Sequence, residues 1–120
     1  MRDSTKAYEV PDGEPVLDTA RLDQLRAVLG ASGVDELIGA FRRLATRTLV
    51  ELSPRAERRV VRNAAHALKG TALDIGLMNL GALMRALQDA ADGDGELQPL
   101  LARVPAAVNS ALDALDRLRR

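Results

Sequence analysis

The chain reads as an all-α protein: an antiparallel, up-down-up-down four-helix bundle with a short N-terminal capping helix. Three observations lead there. Apolar residues recur with helical period in five successive segments, and glycine or proline marks the breaks between them. The composition favours helices, since Ala, Leu and Arg are strong helix formers and aromatic residues make up only 2% of the chain. Four long amphipathic patterns joined by short connections are what an antiparallel bundle needs. At 120 residues the length fits one domain with its own core. Residues 1–15 are expected to form a polar lead-in, with Pro11, Gly13 and Pro15 as breakers, and residues 16–120 the bundle.

The first pattern runs from Asp18 to Leu29, with Leu22, Leu25, Val28 and Leu29 on one side and Gly30 as the stop. Ser32-Gly33-Val34-Asp35 then has the form of a capping box, with Asp in place of the usual Glu. It opens a second helix whose stripe is Val34, Leu37, Ile38, Phe41, Leu44, Ala45, Leu49 and Leu52. Ser53-Pro54 has the form of an N-cap followed by a proline at the first helical position. It predicts a third helix from Pro54 to about Leu73. A fourth follows Gly76, with Leu77, Leu80, Leu83, Met84, Leu87 and Ala91 as its apolar side. The turn cluster Asp92-Gly93-Asp94-Gly95 separates it from the last pattern, which runs from about Glu96 to Leu118. Pro105 falls inside that pattern and should interrupt it near Arg103.

Several function classes are disfavoured. The formal net charge is zero and the pI about 6.6, whereas nucleic-acid binding calls for a basic footprint. The chain has no cysteine and one histidine, too few ligands for a thiolate or His-rich metal site, so no metal or cofactor is expected. There is no P-loop and no kinase signature. The N-terminus MRDSTKAYEV lacks the apolar core of a signal peptide, and no apolar run reaches the ~18 residues of a membrane span. The expected location is the cytoplasm, and the expected state a standalone monomer.

The single histidine, His66, lies in the third pattern. On a helical wheel of ~100° per residue with His66 at zero, Val61, Ala64, Leu68, Ala72 and Ile75 fall between roughly 160° and 240°. The histidine therefore faces away from the core stripe. Its own side carries Arg59, Arg62, Asn63, Lys69, Gly70 and Leu73. Lys69 at i+3 and Arg62 at i−4 can reach the imidazole or anything attached to it. Between Arg55 and Lys69 the chain places four arginines and one lysine against one glutamate. Neutral imidazole is a nucleophile, and these cations would stabilise an anion placed on it, most obviously a phosphoryl group. Gly70 costs ~1 kcal/mol relative to alanine in mid-helix, and close approach of another molecule would account for it. Leu73 and Leu77 add an apolar patch suited to docking. Positions three and four residues from His66 hold no carboxylate, so the site is a poor general base, and a hydrolase or transferase in its own right is disfavoured.

The stretch HALKGTALDIG, His66 to Gly76, resembles the signature of histidine-containing phosphotransfer (HPt) domains of bacterial two-component phosphorelays. The matching residues are His66, Leu68, Lys69, Gly70, Ala72, Ile75 and Gly76. Phe41 and Leu80 in the flanking helices and the Leu-rich last helix resemble the family's bundle pattern, so the likeness covers roughly Val16 to the C-terminus. Thr71 replaces a common Ser or Ala, and Leu87-Gln88 stands where many members have Leu-Glu.

The resemblance implies a phosphorelay intermediate. His66 would accept a phosphoryl group through Nε2 from the aspartate of a receiver domain or from a hybrid histidine kinase. It would pass that group to the aspartate of another response regulator. By the same resemblance Lys69 stabilises the phosphoryl group, Gly70 leaves room for the receiver, and Mg²⁺ comes with the partner. Arg59, Arg62, Asn63, Leu73 and Leu77 are the expected partner contacts. The chain itself would be a carrier without kinase activity of its own. The competing reading is an HPt-like interaction module that binds a receiver or kinase without carrying phosphate. The joint presence of His66 and Lys69 speaks against it.

Overall fold

The computed structural model describes residues 15–118. Among them are five helices and no strand: α1 (Thr19–Glu51), α2 (Arg58–Ile75), α3 (Met78–Asp92), α4 (Gln98–Leu101) and α5 (Val104–Arg117). The lead-in expected over residues 1–15 lies, apart from Pro15, outside the described residues. No helix among those described is long and apolar enough to cross a membrane.

α1 begins where the periodicity begins. The Asp18 carboxylate accepts the backbone N–H groups of Ala20 and Arg21 at 3.1 and 3.3 Å, satisfying two of the donors a helix start leaves free. The expected stop at Gly30 is a sharp kink with φ +74° and ψ 169°, a backbone region open essentially to glycine alone. Helical geometry resumes at once at Ala31. Ser32 is therefore already helical, and the boundary residue of the second arm is Gly30 rather than the predicted capping-box serine. The first arm commits only Leu22 fully to the core; Val28 and Leu29, placed on its apolar side by the periodicity, are 81% and 47% exposed.

The third helix also starts later than Ser53-Pro54 suggested. Residues 53–57 form a turn, in which Ala56 N–H donates to the Ser53 carbonyl at 3.1 Å. The Gln98 side-chain amide donates to the Pro54 carbonyl at 2.8 Å. These bonds hold the segment out of the helix, and α2 begins at Arg58. Its other end is closed by Gly76 in the left-handed region, φ +101°. Gly76 N–H donates to the Leu73 carbonyl and Leu77 N–H to the Ala72 carbonyl, a Schellman pattern. A side chain at 76 would also come within 2.9 Å of the Asp18 carbonyl oxygen. The chain before α1 packs onto this corner through Asp18 N–H on Gly76 O at 2.7 Å and Asn79 N–H on Pro15 O at 2.9 Å. The last pattern is divided as Pro105 predicted: α4 ends at Leu101, and α5 starts at Val104 with Pro105 in its first turn, where its missing N–H leaves no helical bond unmade.

The core is aliphatic apart from Phe41, the chain's one phenylalanine. Val34, Ala45 and Leu52 of α1 and its end meet Val61, Leu68, Ala72 and Ile75 of α2. Leu80, Leu83, Met84 and Leu87 of α3 close the interior with Val104, Val108 and Leu115 of α5. Thr48, on the inward side of α1, is fully buried, and its hydroxyl has no hydrogen-bond partner among the described residues. α2 is flanked by α1 and α3. Along α2 the matching positions on α3 descend: Arg62 meets Asp92, His66 meets Gln88, and Leu73 lies over Gly81.

Candidate functional site

The site is built on one side of α2. The stripe Val61, Ala64, Leu68, Ala72 and Ile75 is buried as the wheel required, with Ala65 added to it. That burial fixes the rotation of the helix and leaves His66 exposed. Ala65, small and fully buried beside His66, lets α3 come close enough for Gln88 to reach the imidazole.

His66 Nδ1 lies 3.3 Å from Gln88 Oε1. An amide oxygen only accepts, so this contact favours the ring tautomer with its proton on Nδ1, in which Nε2 keeps its lone pair. The ring is thereby oriented by a group on another helix, with its nucleophilic nitrogen unengaged. Gln88 was not among the residues the sequence singled out as functional. Its signal was present only as a departure from the Leu-Glu pair common in HPt domains, and nothing local linked it to a residue 22 positions earlier.

Lys69 is half-buried one turn along from His66, and Gly70 is exposed beside it. A Cβ built at Gly70 meets nothing within 4 Å. Among the described residues, no packing therefore accounts for a residue that weakens a helix interior. Arg59 is exposed, with a long 4.0 Å ion pair to Glu57. Asn63 is exposed too, and accepts from Arg62 Nη1 at 3.2 Å. Arg62 itself is turned toward α3, where its Nε donates to the Asp92 carboxylate.

Leu73 is half-buried and packs against α3, its Cδ2 lying 2.3 Å from where a side chain at Gly81 would begin. Leu77 departs from its expected docking role and keeps its place on the apolar side of the helix that follows. It is fully buried, because the turn at Gly76 swings it inward ahead of α3, and it cannot serve as a surface contact. Six of the predicted residues thus share one exposed side of α2, Leu73 borders it, and Leu77 is removed from it.

Two further residues complete the surroundings. Arg58 Nη1 donates to the carbonyls of Ala90, Gly93 and Gly95 at 2.8, 3.3 and 3.1 Å. It satisfies acceptors that the end of α3 leaves open. Arg85, exposed one turn before Gln88, puts another cation on the α3 side of the site. Of the arginines on α1, Arg42 pairs with Asp116 of α5, whereas Arg43 and Arg47 are exposed.

In chemical terms, this is an exposed, oriented imidazole bordered by cations and by an unfilled position in the helix surface. It can carry a small anion and admit a second macromolecule to it. No curated protein and no solved structure matches the chain significantly. A family model for the Hpt domain matches residues 19–119, nearly the whole chain. The match takes in all five helices and every residue of the site. The chain belongs to the Hpt domain family, phosphocarrier modules of two-component signalling rather than enzymes.

Proposed function

We propose that this protein is a phosphorelay intermediate that carries a phosphoryl group on His66 Nε2. The observation that carries the reading is the imidazole itself: exposed, with Nδ1 held by Gln88 and Nε2 unengaged. The donor is the aspartyl phosphate of a receiver domain, its own or that of a hybrid histidine kinase. The Nε2 lone pair forms the N–P bond as the aspartyl O–P bond breaks, and the aspartate leaves as a carboxylate. The proton stays on Nδ1, so the ring becomes cationic beside the phosphoryl dianion. The reverse step, on a second response regulator, passes the group on.

Little else is asked of the chain, since catalysis here rests on positioning and charge. Lys69 neutralises phosphoryl charge, the gap at Gly70 admits the receiver, and Arg59 and Asn63 meet it at the edge. Mg²⁺ belongs to the receiver's acidic pocket, and the chain acts as a carrier rather than as a kinase. The same reading takes the bundle as antiparallel, up-down-up-down, with the first arm of α1 as its short cap. It takes the protein as a cytoplasmic monomer.

The test is phosphotransfer from a panel of phosphorylated host receivers. Wild type should gain an acid-labile, base-stable label, and His66→Gln should gain none while keeping its helical signal. Lys69→Ala should accept more slowly with its stability within about 0.5 kcal/mol of wild type, as for most surface substitutions. Folded wild-type protein that takes no label across the panel would mean a module that binds without carrying phosphate.

A further inference from the structure

We infer that Asp92 holds Arg62 in reserve and that Arg62 exchanges this carboxylate for the phosphoryl group once His66 is charged. The inference rests on the phosphocarrier reading and deepens it: the pair would tune how strongly the chain retains its phosphate.

Arg62 stands one turn before His66 on the same side of α2, at the spacing where helix side chains meet. Its Nε is on Asp92 and its Nη1 on Asn63. The plain alternative is a staple between α2 and α3. That work is already done at the same end by Arg58, which bonds three carbonyls there. Asp92 is moreover the last residue of α3, where the helix dipole disfavours an anion. A carboxylate in that position gains from an arginine nearby but adds little to the helix.

Both side chains are about half exposed, 46% and 47%. Such a pair is weakly held, so it can be given up for a better acceptor. A phosphoryl group on the imidazole is one, with nearly two negative charges and three acceptor oxygens. Arginine's planar fork suits it to either partner. Before charging, Asp92 offsets the cation. After charging, the released Arg62 binds phosphate, and Asp92 remains as the competitor that keeps the group transferable. Asp92 is in this sense a positioning residue, acting through Arg62.

The experiment needs no partner at first. Inorganic phosphoramidate charges an exposed imidazole: the ring N–P bond forms as the reagent's own N–P bond breaks and ammonia leaves. His66 is the only histidine, so the product is defined. In wild type the Arg62 Nε–H resonance, assigned by its loss in Arg62→Gln, should move on charging. An unmoved resonance overturns the inference.

The second readout is the phosphoryl equilibrium with a phosphorylated receiver. Asp92→Asn should shift it toward the charged chain, and Arg62→Gln away from it, each by about threefold, the scale of a half-exposed ion pair. Arg62→Lys should recover part of the loss, and high salt should shrink both effects. In the double variant the Asp92→Asn gain should vanish. If it persists, Asp92 acts by its own charge and not through Arg62, and the inference fails. A chain charged by phosphoramidate but by no receiver refutes the phosphocarrier reading instead, and the Arg62 resonance still decides the exchange.

Discussion

At the scale of single residues, His66 shows how much depends on one contact from another helix. Gln88 Oε1 beside Nδ1 favours one ring tautomer, the one in which Nε2 is the nucleophile the proposed transfer needs. Gln88→Leu should therefore slow phosphoryl acceptance, by up to about tenfold, with little effect on stability. That decrement is about 1.4 kcal/mol, the upper range of a neutral hydrogen bond. Gln88→Glu, which keeps an acceptor, should retain most of the rate. Equal rates in all three proteins would strip Gln88 of its orienting role. Thr48 is the opposite case, a buried polar atom with no partner among the described residues. Replacing it with valine keeps the shape and removes the desolvated hydroxyl, so Thr48→Val should raise stability by about 1 kcal/mol. Chemical denaturation would measure this; a lower midpoint would mean that the hydroxyl is satisfied by something else, such as an internal water.

The helices themselves divide into boundaries written locally and boundaries set from a distance. Gly30, Gly76 and Pro105 each announce a break through their own backbone chemistry, and each break occurs where the sequence placed it. Ser53-Pro54 carries equally good local signals and misleads, because an amide 44 residues away binds the Pro54 carbonyl. The buried stripe of α2, and with it the exposure of His66, was legible from periodicity alone. Gln88 and Asp92 were not legible as functional, since their roles depend on the register of α3 against α2, which no single-helix pattern contains. Leu77 was read correctly as part of the apolar stripe after Gly76 and wrongly as a docking residue, since the chain turns at Gly76 and carries it inward.

Gly70 supplies the prediction that belongs to this scale. With open space at its Cβ, Gly70→Ala should strengthen α2 by ~1 kcal/mol and raise the thermal midpoint. The same methyl group stands where a receiver would approach, so transfer should slow. A variant that is more stable and equally fast would remove Gly70 from the docking surface.

For the molecule as a whole, the mutual support of the helices matters more than any one of them. The core is continuous from the first arm of α1 to α5 and is filled almost wholly by aliphatic side chains. The site borrows its rigidity from that packing: one helix presents the histidine, a second orients it, and a corner tied to the start of α1 fixes where the first helix ends. The site proposed for phosphotransfer thus sits on the outside of the bundle, apart from the buried core.

The contact of Leu73 with Gly81 makes α3 a lever. Gly81 and Gln88 are seven residues apart, two turns along the same side of one helix. A methyl group at position 81 would fall 2.3 Å from Leu73 Cδ2. Either Leu73 swings outward, or α3 is pushed off α2 and carries Gln88 away from the imidazole. Leu73 Cγ also lies only 2.8 Å from that position, so turning the outer methyl alone does not clear it, and we expect Gly81→Ala to take the second course. The ring nitrogens of His66 would then report a mixture of tautomers by ¹⁵N NMR, although nothing at the site was changed. An unaltered ring spectrum would show that Leu73 gave way. If the lever moves, the chemistry of the histidine can be tuned from the far end of α3, by substitutions that never touch the phosphate or its partner.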